Sequence, residues 1–256
     1  MAFSYVTPDE LIAADGLRMV VVGNFPSPWG EAAKGIFHIK NLDWLATRVD
    51  YQHQELKAWS GQRSGPVAVY KNEPPRHAWA DILMLAERLS PSPSLLPADP
   101  ALRAMVFGFS HEICGQGGLG WERRLQMIHA GLNNQGGFQK ADAQHLGKKY
   151  GHSPQAGENA EGRVTELLEM LSNQLLKQQS AGSQFYFGEA LSAVDIYSAT
   201  AMALFDPLPE SVCPMSAHSR KILSNLSPKI KSAFHPILFE HRDLIYKQWL
   251  ELPLSL

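Results

Sequence analysis

Cysteine is scarce in this chain. Two residues of 256, Cys114 and Cys213, sit in unrelated contexts. They make neither a disulfide framework nor a metal knuckle. A surplus of positive charge is also missing: 23 Lys and Arg face 25 Asp and Glu, a net charge of -2. No single helix face collects Lys and Arg, which argues against a nucleic-acid partner. No apolar run approaches the roughly 20 residues that span a bilayer, so no membrane partner is expected. The opening MAFSYVTPDELIAADG lacks a basic start and a long apolar segment. It does not read as a secretory signal, and the cytoplasm is the expected compartment. The ten histidines are scattered with no pair at ligand spacing, and no metal is expected. Low-complexity repeats are absent too.

What remains is ordinary globular material, 45% apolar and 19% charged, long enough for one large domain or two modest ones. Thr7-Pro8-Asp9-Glu10 has the pattern of a capping box with Pro at the first helical position, and Gly16 could end the short helix it starts. Strand-like runs follow at Leu17–Val22, Ala46–Tyr51 and Pro66–Tyr70. Between the first two, Pro28–Asn41 carries Trp29, Ala32, Ala33, Ile36 and Phe37 at helical spacing. Strand, helix, strand predicts a right-handed parallel crossover. Trp79–Leu89 then reads as a helix, which completes an α/β domain.

The chain changes character near residue 90. Ser90–Pro100 holds four prolines in eleven residues and reads as a linker. Asp99-Pro100 is a helix start, and everything beyond it is helical in pattern. Val164, Leu167, Leu168, Leu171 and Leu175 form an amphipathic stripe, whereas residues 131–160, rich in Gly, Gln, Asn and His, read as a long connection or a poorly formed helix end. In Leu191-Ser-Ala-Val-Asp-Ile196, Ser192 and Asp195 fit a capping box, and Leu191 and Ile196 fit its hydrophobic staple. The helix that follows is apolar on nearly every face and should be buried.

Two tempting motifs fail on context, and a third is ambiguous by itself. Gly115-Gln-Gly-Gly-Leu-Gly120 follows a helical pattern rather than a strand, so it is no dinucleotide loop. His111-Glu112 begins like a zinc-protease motif, but Gly115 stands where the second histidine belongs. Ser27-Pro28-Trp29, after the run ending at Gly23, is an ordinary helix start on its own.

In combination, these features resemble the cytosolic glutathione S-transferase superfamily. The resemblance rests on Ser27-Pro28-Trp29 at the first helix of the α/β half, the Pro-rich linker, the helical second half, and Gly188…Ser192…Asp195, which fits the family's Gly-x-x-x-[Ser/Thr]-x-x-Asp signature. It covers roughly residues 17–250. It implies an N-terminal extension at 1–16, a thioredoxin-like, glutathione-binding α/β domain at 17–90, a linker at 91–99, and an all-α helical-bundle domain at 100–256.

The same resemblance implies a detoxifying enzyme that binds glutathione as co-substrate, activates its thiolate and transfers it to a hydrophobic electrophile. The alternative is a non-catalytic member of the fold that binds ligands or proteins. Ser27 is the implied catalytic residue. It stands where redox-active relatives carry cysteine, and a hydroxyl at a helix N-terminus can donate to a substrate thiolate. Trp29, Gly65, Pro66 and Asp81 are the implied glutathione-binding residues. In the family a cis-proline at Pro66's place frees the preceding backbone for the cysteinyl unit; the isomer itself is not legible here. An acidic residue followed by Ser or Thr normally holds the γ-glutamyl end. Asp81-Ile82 or His77-Ala78 takes that place, Asp81 being favoured, and both lose the hydroxyl. Phe107, Phe109 and His111 are implied to line the electrophile pocket. A two-fold homodimer is implied as well.

Overall fold

The computed structural model describes residues 3–256; Met1 and Ala2 of the expected extension lie outside the described residues. Strand β1 (Phe3–Tyr5) is followed by helix α1 (Pro8–Ala13). The Thr7 capping box predicted from sequence closes on Glu10, and α1 ends at Ala13, ahead of Gly16. The central hairpin-and-crossover unit is β2 (Leu17–Val21), α2 (Pro28–Ile39), β3 (Trp44–Arg48), α3 (Gln54–Ser60) and β4 (Val67–Tyr70). The sheet order is β1-β3-β2-β4, with β2 parallel to β3 and antiparallel to β4.

Residues 3–13 are thus more than an appendage. β1 pairs in parallel with β3 in the register Phe3↔Trp44, adding an edge to the sheet. Trp44 explains why β3 begins two residues before the expected Ala46: its buried ring stacks on Phe3 at 4.2 Å and lies edge-on to Phe37 at 5.5 Å. α3 carried no apolar stripe to betray it. The His53 ring caps it by accepting from the Leu56 amide at 3.1 Å.

Helix α4 (Trp79–Leu89) closes this half. The Pro-rich stretch that follows is pinned. Leu95 and Leu96 are buried, and the Leu95 carbonyl accepts from the Ala193 amide at 2.8 Å. Lys40 Nζ donates to the carbonyls of Ser90 at 2.9 Å and Pro93 at 2.7 Å.

The second half is helical: α5 (Pro100–Cys114), α6 (Leu119–Leu132), α7 (Lys140–Tyr150), α8 (Pro154–Ser180), α9 (Ala193–Ala201) with a 3-10 turn (Met202–Leu204), α10 (Ala217–Leu223), α11 (Pro228–Ala233) and α12 (Ile237–Gln248). Among the described residues no strand follows Tyr70 beyond a single bridge from Arg76 to Ala68. Helix α7 corrects the expectation of a connection at 131–160. Its one buried apolar stripe is short, Ala143 and Tyr150, which is why the pattern was faint.

The core is continuous across both halves, with α2 packed on the sheet, on α4 and on α9. α9 is buried at every position. Its start is held through Asp195, whose Oδ2 accepts from the Ser192 amide at 2.8 Å and the Ser192 hydroxyl at 2.7 Å. Asp195 Oδ1 accepts from the Tyr186 amide at 2.9 Å and lies 3.1 Å from His241 Nε2. A buried helix start has no water to satisfy it, so one carboxylate serves four donors.

Candidate functional site

β2 delivers the chain to the turn 22–27, and Pro28 opens α2 with its fixed φ. Ser27 is the N-cap of α2, yet its side chain makes no cap hydrogen bond. Its carbonyl accepts from the Glu31 amide at 2.8 Å, so the backbone begins the helix without the hydroxyl. The amides of Trp29 and Gly30 have no partner among the described residues. Three donors at one helix end are therefore uncommitted, in a place where the helix dipole favours negative charge. Ser27 is only 5% exposed.

Gly65 and Pro66 approach from β4. The Gly65–Pro66 peptide is cis. A Cβ at position 65 would lie 3.0 Å from the Val20 carbonyl oxygen and from Val21 backbone atoms, so glycine is what fits. Neither the amide nor the carbonyl of Gly65 is taken by another group among the described residues.

Trp29 points the other way. Its indole Nε1 donates to the Cys114 carbonyl at 2.8 Å, tying α2 to the end of α5. A Cβ on Gly120 would come within 2.9 Å of the Trp29 ring. The Gly-rich turn that mimics a dinucleotide loop is thus a seat for this indole.

At α4 the N-cap is Ala78, with no side-chain cap. His77 precedes it, and its Nε2 donates to the Ser60 carbonyl at 2.8 Å. Asp81 lies in the first turn and is exposed, with no hydrogen-bond partner among the described residues. Both alternatives of the sequence reading therefore stand at this helix start.

The three expected pocket residues separate. Phe107 meets Trp79 at 6.1 Å and lies between the two halves. Phe109 packs on Phe187 at 4.9 Å and Tyr186 at 6.3 Å, inside the helical half. Two residues along a helix is a rotation of about 200°, so Phe107 and Phe109 cannot face one pocket. His111 is exposed.

The protein's own thiols are poor nucleophiles. Both are buried, and burial pushes the Cys114 thiol well up from its usual range and raises that of Cys213. Sequence reading also missed Arg124, whose guanidinium lies 4.8 Å from the ring of Phe25, two residues before Ser27. Nothing local distinguishes it from the other basic residues. Asp9, His53 and Glu55 gather on the surface, brought together across 44 positions by the Asp9–His53 contact at 3.1 Å. The His53 ring is spent on Asp9 and on its cap.

No family model matches the chain, and no curated protein matches it significantly. Solved structures do. A glutathione S-transferase from Methylobacterium radiotolerans, in complex with glutathione sulfonate, aligns with a TM-score of 0.62 at 14% identity over 91% of each chain. One from Methylobacillus flagellatus with glutathione bound gives 0.62 and 14% over 91% of this chain and 95% of the other. Glutathione transferase Omega 3C from Trametes versicolor gives 0.59 and 13% over 94% and 89%. The chain has the glutathione S-transferase fold. Within it, Ser27 opens α2 after β2, Gly65 and Pro66 lead into β4 against the end of β2, and Trp29 spans to the helical half.

Proposed function

We propose that the protein binds glutathione beside Ser27, holds its cysteinyl sulfur as thiolate and transfers it to an electrophilic small molecule. The observation that carries this reading is the Ser27 hydroxyl, at a helix start but spent on no cap. A free thiol loses its proton near pH 8.5, and a helix N-terminus with hydrogen-bond donors lowers that value. Ser27 would donate its O–H to the sulfur anion, with the Trp29 and Gly30 amides and the α2 dipole adding positive potential. The uncommitted Gly65 backbone would pair with the cysteinyl amide and carbonyl, and Asp81 would meet the α-ammonium. The thiolate then attacks the electrophilic carbon, forming the C–S bond as the leaving group departs with its electron pair. Trp29 would act through packing, since its indole is already engaged. Phe107, against Trp79 between the two halves, would be the aromatic that contacts the second substrate.

Two structures of this fold in the comparison carry glutathione or its sulfonate, which supports the ligand class. The reading includes a cytoplasmic homodimer. Light scattering should return twice the mass of one chain at micromolar concentration, and a single-chain mass would remove the dimer.

A second reading, a ligand-binding or protein-interaction module without catalysis, is favoured by the missing hydroxyl at Ala78 and by the burial of Ser27. Calorimetry with glutathione followed by a conjugation assay with an aryl halide separates the two. Binding with turnover is expected; binding without turnover selects the module, and no binding removes both glutathione readings.

A further inference from the structure

Arg124 of α6 is a buried cation, 8% exposed, stacked on two rings, Phe25 at 4.8 Å and Phe138 at 5.5 Å. The other buried arginines are well supplied with acceptors. Arg123 donates to the carbonyls of Leu204 at 3.1 Å, Leu223 at 2.8 Å and Asn225 at 3.2 Å. Arg18 holds the carbonyls of Ile12, Ala14 and Lys71, and Arg242 holds Asp243 and the Asp206 carbonyl. Arg124 has no side-chain hydrogen bond and no ion pair among the described residues, only the two rings.

A guanidinium carries five N–H donors, and stacking on rings satisfies none of them. Leaving them unpaired in a buried place is costly unless something else accepts. The Arg124 nitrogens are not among the sealed, unpartnered atoms of the chain, so they keep an opening to solvent. A second cation stands close by. Lys149 of α7 donates to the Ser64 hydroxyl, next to Gly65–Pro66. Two cations thus reach from the helical half to the turns that carry Ser27 and Gly65, Arg124 over Phe25 and Lys149 on Ser64.

We propose that Arg124, over Phe25, and Lys149, on Ser64, bind the carboxylate of an organic acid beside Ser27. The proposal rests on the reading of the Ser27 helix start as a ligand site. The carboxylate has two possible owners, the second substrate or the glycyl end of glutathione, and the test separates them. Quenching of tryptophan fluorescence would be titrated with 4-chloro-3-nitrobenzoate and with its neutral isostere 4-chloro-3-nitrobenzamide, with and without glutathione. Calorimetry would compare glutathione with its glycinamide. If the second substrate owns the acid, the benzoate binds about tenfold or more tighter than the benzamide, the worth of one charge-assisted hydrogen bond. If glutathione owns it, the two aryl probes bind alike and glutathione outbinds its glycinamide by a similar factor. In either case the preference disappears in Arg124→Met, weakens in Lys149→Met and survives in part in Arg124→Lys. Lys149 is exposed, so its variant reports even where Arg124→Met does not fold. Equal binding of acid and amide in both pairs, or a preference that survives both methionine variants, overturns the proposal. A preference for the benzoate in a protein that ignores glutathione would leave this site standing and remove the transferase reading instead.

Discussion

A serine at a helix N-cap ordinarily turns its oxygen to an amide two or three residues on. Ser27 withholds it, so Ser27→Ala removes no cap bond. Its unfolding free energy should stay within about 0.5 kcal/mol of wild type, well below the usual loss on deleting a cap. Conjugation at neutral pH should fall by about ten- to a thousandfold, the scale of losing one donor to an anion, and the pH profile should move upward as the bound thiol loses a stabilising partner. A wild-type rate with an unmoved profile would reduce Ser27 to a helix start and leave the thiolate to the amides of Trp29 and Gly30. Ser27→Cys should instead attack glutathione disulfide, expel one glutathione thiolate and retain the other half as a mixed disulfide, visible by mass. The position was legible because Ser-Pro-Trp is a local pattern. The uncommitted hydroxyl was not, since the same three letters describe a working cap.

Elements were legible where their signal was local. α4 spans Trp79–Leu89 as its apolar spacing predicts, and the α9 start was readable in four letters. β1 and α7 were not: β1 depends on β3, distant in sequence, and α7 buries only Ala143 and Tyr150, too short a stripe to show a period. Phe109 packs on Phe187 and Tyr186, about 200° around the helix from Phe107, a rotation that spacing alone predicts. The α9 box also turns out wider than its sequence. Besides Ser192, Asp195 holds the Tyr186 amide and faces His241, and it is fully buried. Asp195→Ala would strand these donors at once and should cost about 3–5 kcal/mol, against about 1–2 kcal/mol for Ser192→Ala, which removes one donor from a carboxylate that keeps others. Urea unfolding of both variants checks the order. Equal losses would mean that Asp195 matters only as the partner of Ser192.

At the scale of the molecule, residues 252–256 return from the helical half to the α/β half, a contact no local pattern announces. The Ser255 carbonyl accepts from Lys34 Nζ and from the Tyr5 hydroxyl, each at 2.8 Å. Arg48 donates to the Leu256 carbonyl while stacked 4.0 Å over the Tyr5 ring. Tyr5 thus joins the edge strand, which sequence reading set aside as an extension, to the far end of the chain. Burial above all pushes the Tyr5 phenol up to about 12, with the Arg48 charge pulling the other way. A group whose pKa rises on folding stabilises the fold in its protonated form. The contribution is whole below the unfolded value of about 10 and is lost as pH climbs through about 12. At pH 8, Tyr5→Phe should therefore unfold at a lower temperature than wild type, by the few degrees that about 1 kcal/mol of one hydrogen bond represents. Between pH 10 and 12 the gap should close, because wild type must then either hold a tyrosinate against a carbonyl or release the strap, and phenylalanine faces neither choice. Buried Tyr186, Tyr197 and Tyr246 are pushed the same way and lower both proteins together, so the difference between the two melting curves isolates Tyr5. A gap that stays constant from pH 8 to pH 11 would show that the Tyr5 hydroxyl does not hold residues 252–256 in place.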